Sequence, residues 1–516
     1  MPRQAQKPAG GERLRPERDY KVIELDAERS LLFLAGSHRV LEVGRETGRR
    51  LARGVEHLEA AEAGEWRALE AAGCFLEPNR QVLARGSYED GSNLALNINL
   101  TGSCNLDCVY CFAEGGDYGR ITGKMASHTV GYIFAFIRQH VTRSQVVRFE
   151  FFGGEPLLNF ARIAEICEKS DAFSQETGIS FIHRISTNLT VLPAGAPELM
   201  RDRGFIVSVS IDGGALTHNR NRPTKAGGGS WEKIIGHCRR VREVGGDRVT
   251  LVARMTVVDN EPPLIDNVRE LWRLNLFDYF QIYPGVTSAG SCNGGEGLVK
   301  IGSESKPATM DHRFLSQLED LLLEYPQLFS PHNRFKGGLE YERLLQMVLE
   351  GKMALGFCGA GKTYFTFSPD DSIMPCHRMV GELEHQAGDG SHGLSRELSE
   401  WTAPVDRHPV CSQCWARYAC GGGCRQENFL SSGDIRVLNP DTCGYQQGLL
   451  EAVLRLLGRT GGDYRSHDRS QLEDLFVSCG RPVVPNGRVL DDPLPQGLRH
   501  FRPLSARGSA SRPVAA

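Results

Sequence analysis

Between residues 94 and 282 the apolar positions alternate between two rhythms. Short runs rich in β-branched and aromatic residues, Leu94–Leu100, Val146–Phe152, Ser180–Ser186, Phe205–Ile211, Val249–Val257 and Phe277–Ile282, read as strands. Between them lie stretches apolar on one face only, such as Ile163, Ile166, Cys167, Ser170 and Ile234, Ile235, Cys238, Val241, which read as helices. Strands joined through helices pair in parallel, because each crossover must cover a face of the sheet. Six such units predict an α/β fold, an open, partial (β/α)6 barrel over residues 90–310.

The pattern differs on either side. Val22, Ile23 and Leu25, then Leu31–Leu34, then Val40–Val43 predict short strands, and Leu51, Val55, Leu58, Trp66 and Leu69 predict helices after them. This is a small module over 21–80, preceded by a flexible basic lead, 1–20, and followed by a linker, Pro78–Asn93, broken by Gly86, Asp90 and Gly91. Phe314, Leu315, Leu318, Leu321, Leu322 and later Leu344, Leu345, Val348 predict a helical bridge over 311–350. Residues 351–450 are rich in Cys and Gly and lack periodicity, as expected where metal ligation replaces a large core. The extension, 451–516, turns polar beyond Gly461 and reads as disordered from about Gly487.

The 516 residues are 40% hydrophobic and 24% charged, with a formal net charge of -3, the balance of a soluble globular chain. That charge gives no bulk case for a nucleic-acid or membrane partner. Met1–Arg18 lacks the apolar segment of an export signal and no run reaches membrane-span length, so a cytoplasmic protein with reduced thiols is expected.

Ten of the fifteen cysteines fall into two spaced sets: Cys104, Cys108 and Cys111, and then Cys358, Cys376, Cys411, Cys414, Cys420, Cys424 and Cys443. The first follows a strand into a loop at the mouth where barrels place their chemistry. Three thiolates cap three corners of a 4Fe-4S cube and leave the fourth iron open for a chelating ligand. A zinc site would want a fourth nearby ligand, and His128 is the nearest. Cys74, Cys167, Cys238 and Cys479 read as isolated small hydrophobes.

Cys104-x3-Cys108-x-Tyr110-Cys111 resembles the signature of the radical S-adenosylmethionine (radical SAM) superfamily, whose core is a TIM-like partial barrel. The resemblance implies that the open iron chelates the cofactor's methionine portion and that an electron from the cluster cleaves it to a 5'-deoxyadenosyl radical. Further stretches match along the barrel: Gly153-Gly154-Glu155-Pro156, Ser186 to Asn188, and Ser208, Ser210 and Asp212 at successive strand ends. With Tyr110 and Phe112 they are the expected cofactor-binding residues. Arg222 and Arg254 suit the methionine carboxylate, and a solvated surface role stays open for both.

Cys411-x2-Cys414-x5-Cys420-x3-Cys424, with Cys358, Cys376 and Cys443, resembles the SPASM domain of radical enzymes that modify peptides and proteins. The family pattern implies one cluster on Cys411, Cys414, Cys420 and Cys443, and another on Cys358, Cys376 and Cys424. Three 4Fe-4S clusters are thus expected, with one auxiliary iron open to a substrate thiolate or closed by water or Cys292. A structural zinc ion in part of this set stays open. The module at 21–80 resembles the winged-helix, PqqD-like element that binds leader peptides, commonly by strand addition; a plain packing domain is the alternative.

Cys111-Phe-Ala-Glu-Gly-Gly-Asp-Tyr-Gly, Glu150-Phe-Phe-Gly-Gly-Glu-Pro-Leu and Pro375-Cys-His-Arg-Met-Val-Gly look like thioether-forming maturases of the six-cysteine (ranthipeptide) and quinohemoprotein amine dehydrogenase groups. Such an enzyme joins a Cys sulfur to a carbon of a ribosomally made peptide or small protein, with flavodoxin or ferredoxin as electron donor. Carbon-carbon cross-linking or epimerisation is the neighbouring alternative. Anaerobic sulfatase maturases form another branch; they place an Asp after the cysteine equivalent to Cys376, where this chain has His377, a candidate acceptor of a thiol proton or a hydrogen-bonding neighbour of a cluster ligand.

Overall fold

The computed structural model describes residues 14–71, 74–75, 93–119, 121–141, 146–258, 262–285, 312–328, 333–460 and 483–485. The lead up to residue 13, the linker from 78 to 92, the Cys292 loop and Cys479, and the tail assigned to disorder lie outside these residues.

The N-terminal module is an antiparallel sheet of β1 (Tyr20–Glu24), β2 (Arg29–Leu34) and β3 (Arg39–Gly44), followed by α1 (Arg45–Arg53) and α2 (Ala60–Ala71). Its own core gathers Tyr20, Leu32, Leu34, Leu41, Leu51, Trp66 and Leu69, and the Tyr20 hydroxyl donates to Leu51 O at 2.9 Å. Residues 14–19, assigned from sequence to the lead, are engaged by the Cys-rich region. Trp415 N–H donates to Glu17 O at 2.8 Å, and Arg417 Nη1 donates to Arg18 O at 2.6 Å.

The large sheet contains β4 (Asn93–Asn99), β5 (Val146–Phe152), β6 (Ser180–Thr187), β7 (Ile206–Ser210), β8 (Thr250–Val257) and β9 (Tyr279–Pro284), paired in parallel in sequence order. The intervening helices are α3 (Ser127–His140), α4 (Phe160–Thr177), α5 (Ala196–Asp202), α6 (Ala215–Asn221), α7 (Trp231–Gly245) and α8 (Leu264–Arg273). After α9 (His312–Leu328), β10 (Gly337–Gly338) extends the sheet beyond β9 and leads into α10 (Leu339–Glu350). β11 (Lys352–Ala354) pairs with β16 (Val483–Pro485) in a small separate sheet.

At the opposite edge the Cys-rich region contributes β12 (Tyr364–Phe367), parallel to β4, and then β13 (Ser372–Met374), β14 (Gly388–Asp389) and β15 (Gly393–Leu394). α11 (Arg425–Ser432) and α12 (Pro440–Thr460) follow, α12 packing against α9 and α10. The sheet is an open, partial barrel, and no helix among the described residues is long and apolar enough to cross a membrane.

Alternation along the strands decides what each face meets. Leu94, Leu96, Ile98, Val147, Phe149, Phe151, Val207, Val209, Leu251 and Ala253 join the helix-packed core, where a large buried side chain contributes about 1.5–3 kcal/mol. The intervening positions point the other way. At one level they form an apolar floor of Ile182, Ile206, Val252 and Tyr279 with Leu339. Above it the inward positions are polar: Asn97, Glu150, Arg184, Ser186, Ser208, Arg254 and Gln281.

Candidate active site

The loop after β4 carries Cys104, Cys108 and Cys111 across the barrel mouth. Backbone bonds fix its path: Asp107 N–H donates to Pro223 O at 2.8 Å, Val109 N–H to Asn221 O at 3.0 Å, and Gly102 N–H to Gly123 O at 3.0 Å. From the other side Gly154 N–H donates to Thr101 O and Glu155 N–H to Ser103 O, both at 2.9 Å. Only glycine allows this approach, since a Cβ on residue 154 would stand 2.2 Å from Ser103 O and 2.9 Å from Cys104 N.

Glu155 is fully buried. Its carboxylate accepts from Leu157 N–H at 3.0 Å, Thr187 Oγ1 at 2.7 Å and Asn188 N–H at 2.7 Å, while burial pushes its carboxyl up to about 7. The carboxylate thus ties the ends of β5 and β6 together. Pro156 opens the buried turn that follows. Asn188 Nδ2 donates to Asn105 Oδ1 at 3.0 Å and faces Cys104 Sγ at 3.6 Å.

The two candidate arginines have different partners. Arg222 is buried and grips Asp212 with two bonds, Nε to Oδ2 at 3.0 Å and Nη2 to Oδ1 at 3.1 Å. The Tyr110 hydroxyl donates to Asp212 Oδ2 at 2.5 Å, and Thr256 N–H donates to Oδ1 at 2.9 Å. Arg222 also lies 5.1 Å from the Tyr110 ring centre, with Nη1 3.9 Å from Cys108 Sγ. Arg254 instead donates to the Ser186 hydroxyl at 3.3 Å and lies 5.7 Å from the Tyr283 ring centre. Ser210, at the end of β7, pairs in register with Arg254.

Beneath the mouth, groups that the sequence reading did not single out line the barrel. Glu150 pairs with Arg184 at 2.9 Å and accepts from the Ser186 hydroxyl at 2.5 Å. Gln281 Nε2 donates to Tyr283 Oη at 2.7 Å and to Glu340 Oε1 at 3.1 Å, bringing α10 into the wall. A run of ionisable residues at alternate strand positions was the available signal; nothing local marked Glu340.

His377 follows Cys376 and faces the barrel mouth. Its Nδ1 lies 2.7 Å from Tyr364 Oη, and its ring meets Phe152 at 5.0 Å and Phe112 at 6.2 Å between centres. Burial first, then Arg254 and Arg378, push its pKa down to about 3, so the imidazole is neutral. Arg378 stacks over Phe112 and pairs with Glu427 at 2.9 Å.

The seven later cysteines occupy two neighbourhoods. Burial pushes the Cys411 thiol up to about 12, with further repulsion from Cys420, Cys443 and Cys414, so these four share one neighbourhood. Cys376 and Cys424 both act on the Arg378 guanidinium and form another. The two are joined at Gly421, whose φ of +80° and backbone approach, 2.3 Å from a Cβ to Gly356 O, bring the Cys420 turn against the Cys358 loop.

The donor chemistry fits iron-sulfur clusters. Every cysteine of both sets is an unbridged thiol. Burial pushes Cys104 up to about 11 and Cys108 up to about 12, so ionising these thiols calls for a nearby cation such as cluster iron. Among the described residues no three or more His, Cys, Asp or Glu side chains gather about one ion position. Free thiols in local sets are the donors that four-iron cubes take.

Comparison with known proteins agrees. Residues 98–270 match the Radical SAM superfamily model. A cysteine-type anaerobic sulfatase-maturating enzyme of Clostridium perfringens is 24% identical over 346 residues, covering 63% of this chain and 86% of the relative. An uncharacterized protein of Archaeoglobus fulgidus is 24% identical over 72% of this chain and 82% of its own length. The solved structure of native anSMEcpe with bound AdoMet superposes with a TM-score of 0.56 at 19% identity, over 71% of this chain and 99% of that one. The chain carries a radical SAM superfamily domain at residues 98–270, and it is an enzyme.

Proposed function

We propose that this enzyme matures a peptide or protein, joining a substrate Cys sulfur to a carbon of the same substrate as a thioether. The observation that carries the reading is the division of the seven later cysteines into a set of four, Cys411, Cys414, Cys420 and Cys443, and a smaller neighbourhood around Cys376 and Cys424. With Cys358, which the SPASM pattern assigns to it, that neighbourhood has three thiols, one short of a closed four-iron cluster, on the side of the Cys-rich region that carries His377 toward the barrel mouth. A substrate thiol held there lies beside the radical-generating centre. The C. perfringens relative, by its name a maturing enzyme, supports a protein or peptide substrate.

When bound, S-adenosylmethionine and the cluster on Cys104, Cys108 and Cys111 supply a hydrogen-abstracting radical. The chain's own work is placement. The Gly153-Gly154 backbone and the Asn188 side chain border that cluster site, and Arg254 offers a guanidinium for the methionine carboxylate. Phe112, Phe152, Tyr364 and His377 make an aromatic wall that excludes water between the two centres. The N-terminal module, seated on the Cys-rich region, presents its strands for a leader peptide.

The test is coexpression with a candidate cysteine-containing precursor peptide, followed by mass spectrometry. A loss of two hydrogens per bridge, with the cysteine protected from alkylation, is expected. A product that keeps every thiol alkylatable excludes thioether formation. The second reading, a sulfatase-type maturase, is favoured by the relatives and makes a sulfatase-derived cysteine peptide the substrate to try alongside.

A further inference from the structure

Asp212 accepts from four donors on three segments: Tyr110 in the cysteine loop, both faces of the Arg222 fork, and the β8 backbone at Thr256. Asp212 is 3% exposed and Arg222 7%. A buried pair of this kind costs desolvation of both ions, which is offset when every lone pair and proton is used. One guanidinium nitrogen is left over. Arg222 Nη1 lies outside the Asp212 fork and 3.9 Å from Cys108 Sγ.

We propose that Arg222 is a positioning residue that sets the reduction potential of the cluster on Cys104, Cys108 and Cys111, with Asp212 as its counterweight. The inference rests on that cluster and is independent of the substrate. Reduction adds one electron to the cluster, so a fixed positive charge beside a ligating sulfur stabilises the reduced form and raises the potential. Asp212 neutralises much of that charge through its two bonds and orients the fork so that one nitrogen faces the sulfur. Tyr110 couples the arrangement to the loop itself, since its hydroxyl and ring touch both members. Solvent cannot screen these charges effectively, because the pair is buried.

The two charges predict opposite effects. In the intact enzyme, anaerobic redox titration is followed by electron paramagnetic resonance, using the reduced-cluster signal that changes when S-adenosylmethionine is added. Arg222→Gln is expected to titrate at lower potential than the native protein, Arg222→Lys close to it, and Asp212→Asn at higher potential, each with native iron and sulfide content. Unchanged potentials in the Gln and Asn variants, or shifts of both in one direction, overturn the proposal. Where Arg222→Gln assembles no cluster, the Asp212→Asn shift decides: upward supports the proposal, and none or downward overturns it. A chain in which no signal responds to S-adenosylmethionine fails at the cluster assignment, a different outcome from an unchanged potential.

Discussion

Cys104, Cys108 and Cys111 belong to one short loop, and their spacing alone marked them, because the three ligands of a cluster corner set are local in sequence. What spacing does not reveal is how a polar residue spends its charge. Arg222 and Arg254 looked alike as candidates, yet Arg222 is taken by Asp212, ten residues away, and Arg254 donates to the Ser186 hydroxyl. Glu155, expected among the cofactor-binding residues, bonds Thr187 and Asn188. Two measurements belong to this scale. Cys104→Ala is expected to lower bound iron by about four atoms per chain, and abolish 5'-deoxyadenosine formation, while the auxiliary clusters remain, as iron assay and optical spectra would report. Glu155→Ala removes three accepted bonds from a buried site, so a loss of about 1–3 kcal/mol in urea unfolding is expected; a loss near zero would show that the donors find other partners.

The elements were largely readable, since hydrophobic period separates buried parallel strands from one-faced helices. All six predicted barrel strands are present with ends displaced by at most two residues, as at Phe277–Ile282 against Tyr279–Pro284. One pattern hid a chemical feature. His183 lies on the helix-packed face of β6, stacked on Phe151 and Phe205 and 3.1 Å from Ser170 Oγ. Burial first, then Arg203, lower its pKa to about 4 from an ordinary 6.5. A histidine kept neutral in the fold adds stability above its unfolded pKa, and that stability is lost as pH falls through the window from 6.5 to about 4. The full shift corresponds to about 3 kcal/mol. The urea midpoint of the native enzyme should therefore fall between pH 7 and pH 5 more steeply than that of His183→Phe; parallel slopes would assign the acid sensitivity elsewhere.

At the scale of the whole molecule, the division read from composition at residue 351 is not a division of the sheet. β12 comes from the Cys-rich region and pairs with β4 over Tyr364–Phe367, while Glu340 enters the barrel wall from the preceding helix. Neither was readable, because strand pairing across 269 residues and a side-chain bond across 59 leave no local pattern. The N-terminal module is tied to the same region through Phe33 against Trp415, and to α12 beyond it through Lys21 against Glu451. A chain ending at residue 350 is accordingly expected to express as insoluble material, with the hydrogen-bonding edge of β4 bare; a soluble, folded truncation by circular dichroism would contradict this.

The shared strand also constrains how such enzymes diversify. Recombination at residue 351 would graft a Cys-rich region whose first act is to complete another protein's sheet. Any transplant must therefore preserve the register of Tyr364 against Ala95 and Phe367 against Ile98. The same four-residue pairing fixes how far the Cys376 turn stands from the barrel mouth, so inheritance of one half of the molecule constrains the reach of the other.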